Sequence, residues 1–124
     1  MKKYLQIIAM SLPVAFLMTG CNEQTVSFQK DIKPLLDTNC AECHLKAGKG
    51  YEASGFFIES YETLMKGTKF GPVVVAGDPA SSSLYRLVSG EVDKSIQMPH
   101  NKAPLSAEKI ALIEHWIAQG AKNN

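Results

Sequence analysis

Five consecutive residues, Cys40-Ala41-Glu42-Cys43-His44, constrain this chain more than any other stretch. Two thiols three positions apart, followed at once by an imidazole, match the spacing at which both thiols bond the two vinyl groups of one porphyrin while the histidine reaches its iron. One run therefore predicts one covalent haem c, with Cys40 and Cys43 as attachment points and His44 as an axial ligand. Other uses of a Cys-x-x-Cys pair fit less well. A structural zinc site closes with four ligands and usually draws on a second clustered pair, but downstream of the run only His100 and His115 remain as candidates, with no further cysteine. A thioredoxin-like redox pair expects a βαβ context that the sequence lacks.

The start of the chain reads as an address rather than as fold. Lys2 and Lys3 form a basic start, Tyr4 to Met18 is mostly apolar but short for a membrane span, and Thr19-Gly20 places small residues before Cys21. Leu17-Met18-Thr19-Gly20-Cys21 resembles the lipobox of bacterial lipoproteins, with Met18 where those proteins usually carry Leu, Val or Ile. The resemblance implies that residues 1–20 are a lipoprotein signal peptide and that Cys21 becomes the acylated first residue. All three cysteines then have tasks and no disulfide remains to be drawn. A multiply acylated terminus holds a membrane firmly, at roughly 0.8 kcal/mol per buried methylene. Asn22 follows the cysteine, which by resemblance to Gram-negative lipoproteins favours the outer membrane. The expected location is the bacterial cell envelope, on the periplasmic side of a membrane, with residues 21–26 as a lipidated tether and 27–124 as one domain.

Charge excludes one class of partner. With 13 basic and 12 acidic groups the chain is close to neutral and shows no basic stripe, so nucleic acid is not expected. About a hundred residues after the signal support one domain with a modest core, which a covalent haem would enlarge. The expected state is a monomer.

Local patterns predict an all-α domain of short helices and long loops. Pro34 near a first turn places a helix from about Lys33 through Cys43, preceded by extended or loosely helical Ser27 to Ile32. The Gly- and Lys-rich stretch Leu45 to Ser54 reads as a surface loop. Ser60 caps a brief helix, Tyr61 to Lys66, closed by Gly67. Phe56, Phe57, Leu64 and Met65 are candidates for the haem wall. Phe70 to Ala76 looks extended. Asp78 and Pro79 start a helix running to Ser89 and stopping at Gly90. The last helix is the clearest: Ser106 caps it, Leu105 and Ile110 staple it, and Gly120 ends it. Ile110, Ile113, Trp116 and Ile117 share its apolar face, which leaves His115 on the polar side and discounts it as a ligand.

The second axial ligand decides the chemistry, because an iron with one protein ligand can bind oxygen or peroxide whereas one with two mainly passes electrons. Ile96-Gln97-Met98-Pro99-His100 is the best candidate segment, a polar loop stiffened by Pro99 and Pro104. Met98 offers a soft thioether on a flexible stem. His100 is the rival, and an open position is the third possibility.

Several features together resemble small single-haem c-type cytochromes, especially the divergent domains of planctomycete-type proteins. They are the haem run, the Met98-Pro99 step, Gly55 to Gly67, Gly71-Pro72, Gly77-Asp78-Pro79, and the ending from Leu105-Ser106 to Trp116-Ile117-Ala118-Gln119-Gly120-Ala121. The likeness covers roughly Val26 to Lys122, with Leu45 where the family usually has Gly. It implies His44 as proximal ligand, Met98 as distal ligand, and a carrier of single electrons rather than an enzyme, serving redox partners that the sequence does not identify. The alternative is a five-coordinate haem c sensor or peroxidase-like protein. Lys46, Lys49, Lys66 and Lys69 read as a solvated lysine-rich surface in preference to a docking face for an acidic partner.

Overall fold

The computed structural model describes residues 24–124, so the expected signal peptide and Cys21 lie outside the described residues. A π-helical turn, Phe28–Ile32, runs directly into α1, Lys33–Asn39. Then follow α2, Ala41–His44; α3, Lys49–Ser54; α4, Tyr61–Lys66; α5, Ser83–Ser89; and α6, Ala107–Ala118. No strand occurs among the described residues beyond an isolated Thr68–Gly71 bridge, so the domain is all-α, as expected. No described helix is long and apolar enough to cross a membrane.

The π-helical turn has a local cause. Pro34 has no N–H to give to the carbonyl four residues back, and its ring crowds that carbonyl. The turn ahead of it widens, so that the Lys33 N–H reaches Phe28 O instead. Ser27 anchors the start: its Oγ accepts from Lys30 N at 3.2 Å, and its own N–H donates to Asp31 Oδ2 at 2.8 Å.

This turn packs against α6 and forms the centre of the core. Phe28 meets the Tyr61 ring edge-on at 5.2 Å between centroids and the Trp116 ring at 5.6 Å. Ile32, Leu36, Ile113, Trp116 and Ile117 are buried around them. Each such side chain contributes roughly 1.5–3 kcal/mol on burial. The expected apolar face of α6 is present, with Ile110 and Leu112 half-buried at its margin and His115 exposed.

The tail after α6 fastens the two ends of the domain together. Tyr61 Oη donates to Ala121 O at 2.8 Å, and Trp116 Nε1 donates to Lys122 O at 2.9 Å. Gln119 accepts from Val26 N at 2.9 Å and donates to Gln24 O at 3.1 Å, which joins buried Val26 to α6.

Three local expectations need correction. The helix expected over Lys33 to Cys43 breaks at Cys40 (φ −123°, ψ −25°), where Asn39 Nδ2 turns back onto Leu35 O at 2.6 Å. Within the expected loop Leu45 to Ser54 lies α3, because docking onto α2 and the Ser54 Oγ bond to Gly50 O (2.7 Å) outweigh the weak helix preference of glycine. The helix expected from Asp78 starts instead at Ser83, since Asp78 Oδ1 caps only a single turn by accepting from Ser81 N at 3.0 Å. The buried Ser82 hydroxyl then accepts from Val75 N and donates to Asp78 O, both at 2.8 Å, fixing the bend. Phe70 to Ala76, expected to be extended, contains no helix; Val73 and Val74 are buried, and Phe70 projects into solvent, 83% exposed.

Candidate haem site

The haem run occupies the corner between α1 and α2. Cys40 N–H still donates to Leu36 O at 2.8 Å, which ties the first thiol to the buried leucine pair of α1. Cys43 N and His44 N both return to Cys40 O, at 3.2 and 3.0 Å, so one short turn presents both sulfurs and the imidazole. Cys40, Cys43 and His44 are each half-buried, and both thiols are free. Cys40 and Ala41 lean on the core cluster.

His44 is held from three sides by the segment that follows it. Its Nδ1 lies 3.3 Å from Phe56 O, and its own carbonyl accepts from Ile58 N at 3.2 Å. A carbonyl can only accept, so this bond places the proton on Nδ1 and leaves the Nε2 lone pair for a metal. The Phe56 ring meets the imidazole edge-on at 5.1 Å. On the third side a Cβ built on Gly50 would lie 2.6 Å from His44 Cε1, so only glycine fits beneath the ring. Burial pushes the His44 pKa down, with the Phe56 bond opposing it, and the neutral imidazole favoured in this way is the form that ligates iron. Gly50→Ala is expected to cost about 1–3 kcal/mol through overpacking against a ring already pinned at Nδ1; an unchanged urea midpoint would contradict this packing.

Two further glycines and one leucine complete the surroundings. Gly48 passes so close to α2 that an added Cβ would meet Cys43 O at 2.4 Å. Gly55 adopts a left-handed conformation (φ 74°) at the end of α3 and turns the chain so that buried Phe56 faces His44. Leu45, in the place usually taken by Gly, is extended (φ −102°, ψ 171°) with its side chain partly in solvent, so nothing at that position requires glycine. Of the other wall candidates, Leu64 is fully buried in the core and Met65 packs against it, while Phe57 is half-buried beside Tyr51.

Burial pushes the Cys40 thiol up to about 11, and neighbouring Cys43 adds to the effect. Reactive dithiol pairs have the opposite character, with a depressed thiol pKa. Near neutral pH the shift from 9.0 leaves a thiolate fraction about 100-fold smaller than that of an ordinary thiol. A more basic thiolate is also more nucleophilic, which offsets part of this, so in the unmatured chain Cys40 should react about tenfold more slowly with iodoacetamide than a model thiol, as followed by peptide mass; reaction at the model rate would point back to a redox pair. No cluster of three or more His, Cys, Asp or Glu suited to a metal ion occurs among the described residues.

The Met98 loop lies between α5 and α6. Met98 N–H donates to Leu87 O at 3.0 Å, and the half-buried thioether packs against the core. His100, two residues on, is exposed. A cleft of about 130 Å³ lies beside Met98, lined by residues from Lys94 to Pro104. Beyond it Lys102 pairs with Glu42, a residue inside the haem run. That bond holds the Glu42 carboxyl below its ordinary range and raises the Lys102 ammonium above its own. Lys46, Lys49, Lys66 and Lys69 are all exposed.

The donor set fits a c-type haem: two free thiols on one turn, an imidazole whose Nδ1 is already engaged, and a thioether that packs on the same core. Fold and donor set define the class of haem c proteins with a cytochrome c-like helical domain. Within that class the chain belongs to the family described as planctomycete cytochrome C, which it matches over residues 40–101. It is also similar to hydrazine synthase subunit alpha of Kuenenia stuttgartiensis, 28% identical over 132 residues. That match covers 85% of this chain but only 16% of the relative, so the chain spans about a sixth of that protein's length. No solved structure matches the chain.

Sequence reasoning missed the Phe56 carbonyl, Gly50 and the Glu42–Lys102 pair. A backbone acceptor carries no sequence signature, and the two charges are 60 positions apart. Gly50 was visible only as one of several loop glycines.

Proposed function

We propose that this chain is an exported, lipid-anchored, single-haem c-type cytochrome that carries one electron at a time. Cys40 and Cys43 form the two thioethers, His44 and Met98 hold the iron, and Cys21 carries the acyl anchor on the periplasmic side of a bacterial membrane. When bound, the haem supplies a one-electron ferric–ferrous couple. The chain's own contribution is to orient, shield and tune.

The observation that carries this reading is the commitment of His44 Nδ1 to Phe56 O, with Gly50 closed beneath the ring. It fixes the imidazole tautomer before any metal arrives, as a proximal ligand needs. Met98, half-buried while His100 is exposed, supports the thioether as the second ligand. Apolar contacts from Leu35, Leu36 and Phe56 keep water from this side of the site and lower the local dielectric. No acid–base or nucleophilic step is required of any residue.

A second reading keeps the sixth position open, as in a sensor or a peroxidase-like protein. What favours it is the name of the relative, a subunit of a synthase, although the chain spans only a small part of that protein. Carbon monoxide separates the two. A low-spin ferrous spectrum that the gas leaves unmoved is expected of the carrier, and rapid complete binding would establish the open site.

A further inference from the structure

Among the described residues two ion pairs occur, and one of them joins separate parts of the fold. Lys33–Asp37 lies within α1, whereas Lys102 pairs with Glu42 across 60 positions. Glu42 sits between the two cysteines of the haem run, and Lys102 follows Met98 by four residues. The pair therefore connects the two segments that bear the proposed iron ligands.

The loop has few other fastenings. On the near side Met98 N–H is bonded to Leu87 O, and Gln97 lies against Gly90. Glu91 N–H returns to Arg86 O at the end of α5, and the other bonds of the loop stay inside it: Ser95 to Asp93, Ile96 N to Asp93 O, and Lys102 N to Pro99 O. From Pro99 to Pro104 the bond to Glu42 is the one hydrogen bond to another element among the described residues. Of residues 91–104 none is fully buried and Met98 is the one that packs against the core, so the closed loop buries little apolar surface beyond that thioether. Its closed state therefore depends on few interactions, and a small one has leverage.

We propose that the Glu42–Lys102 pair is a latch that holds the Met98 loop closed against the haem run and so sets how often an outside ligand can displace the thioether. This rests on the ligation by His44 and Met98 proposed above. Both residues act by positioning, since neither touches the iron. An exposed pair of this kind shifts a local equilibrium by about two- to fivefold, and an outside ligand that needs the open loop gains affinity in proportion to the open fraction.

The test is an imidazole titration of the ferric, matured protein at low salt, following the shift of the Soret band in every variant and, where Met98 is present, loss of the far-red sulfur-to-iron band. Glu42→Gln and Lys102→Gln should each raise the apparent imidazole affinity about two- to fivefold, the double variant no further, and the exchanged pair Glu42→Lys with Lys102→Glu should restore it. High salt should narrow the gap between native and single variants. Native affinity in both single variants, or effects that simply add, would overturn the latch. Met98→Ala separates this from the ligation itself. If that variant binds imidazole as the native protein does, the ligand assignment fails and the latch with it; if its affinity rises while Glu42→Gln stays native, the latch alone is wrong.

Discussion

Met98→Ala should abolish the weak far-red absorption of the oxidised protein and lower its reduction potential. A thioether donates less to ferric iron than an imidazole or hydroxide does, so its removal relieves a preference for the ferrous state. Axial ligation moves haem potentials over roughly 0.8 V in total, and a sizeable part of that span is expected here. The variant should also bind carbon monoxide readily when reduced. The fold should survive, because Met98 is half-buried at the edge of the core and its N–H remains bonded to Leu87 O. Optical spectra and a potentiometric titration check this; an unaltered far-red band and potential would assign the sixth position to another group, His100 first.

The largest stability effect is expected at Trp116. Its ring packs beside Phe28, and its Nε1–H satisfies Lys122 O at 2.9 Å, which holds the tail in place. Trp116→Ala removes a fully buried aromatic and orphans that carbonyl. A cost of about 3–5 kcal/mol is expected in chemical denaturation, enough to remove most of the stability of a domain this size. Trp116→Phe should recover much of the packing but not the bond to Lys122. A loss below about 1 kcal/mol for the alanine variant would mean that the two ends of the domain are joined by something other than this aromatic cluster.

What the sequence made legible was whatever depends on neighbours along the chain. The thiol and imidazole spacing of the haem run, the Ser60 and Ser106 caps, the glycines that end α4 and follow α5 and α6, and the apolar face of α6 are all local, and all were readable. The starts of α3 and α5 were not. At α5 the strong Asp78-Pro79 signal was realised as a single turn, because the buried Ser82 hydroxyl had better partners in Val75 and Asp78. At α3 glycines that predicted a loop are needed for close approach, Gly48 to the Cys43 carbonyl and Gly50 to the imidazole. Neither requirement can be seen without knowing what lies across the gap.

The candidate site divides in the same way. Cys40, Cys43 and His44 announce themselves, and Met98 stands out by its place in a Pro-rich loop. The groups that orient them do not. Phe56 contributes a main-chain oxygen, Gly50 contributes the lack of a side chain, and Glu42 meets Lys102 only because α2 and the Met98 loop come together.

Covalent attachment of one haem at Cys40 and Cys43 underlies every role proposed above, and intact mass with a pyridine haemochrome spectrum, on protein matured in a host competent for c-type haem, decides it. The expected mass is that of residues 21–124 plus the acyl anchor and one haem, with Cys40 and Cys43 closed to alkylation and the spectrum of a porphyrin with both vinyl groups consumed. A polypeptide of unmodified mass with Cys40 and Cys43 still open to alkylation, or a haem that acid solvent extracts, would contradict it.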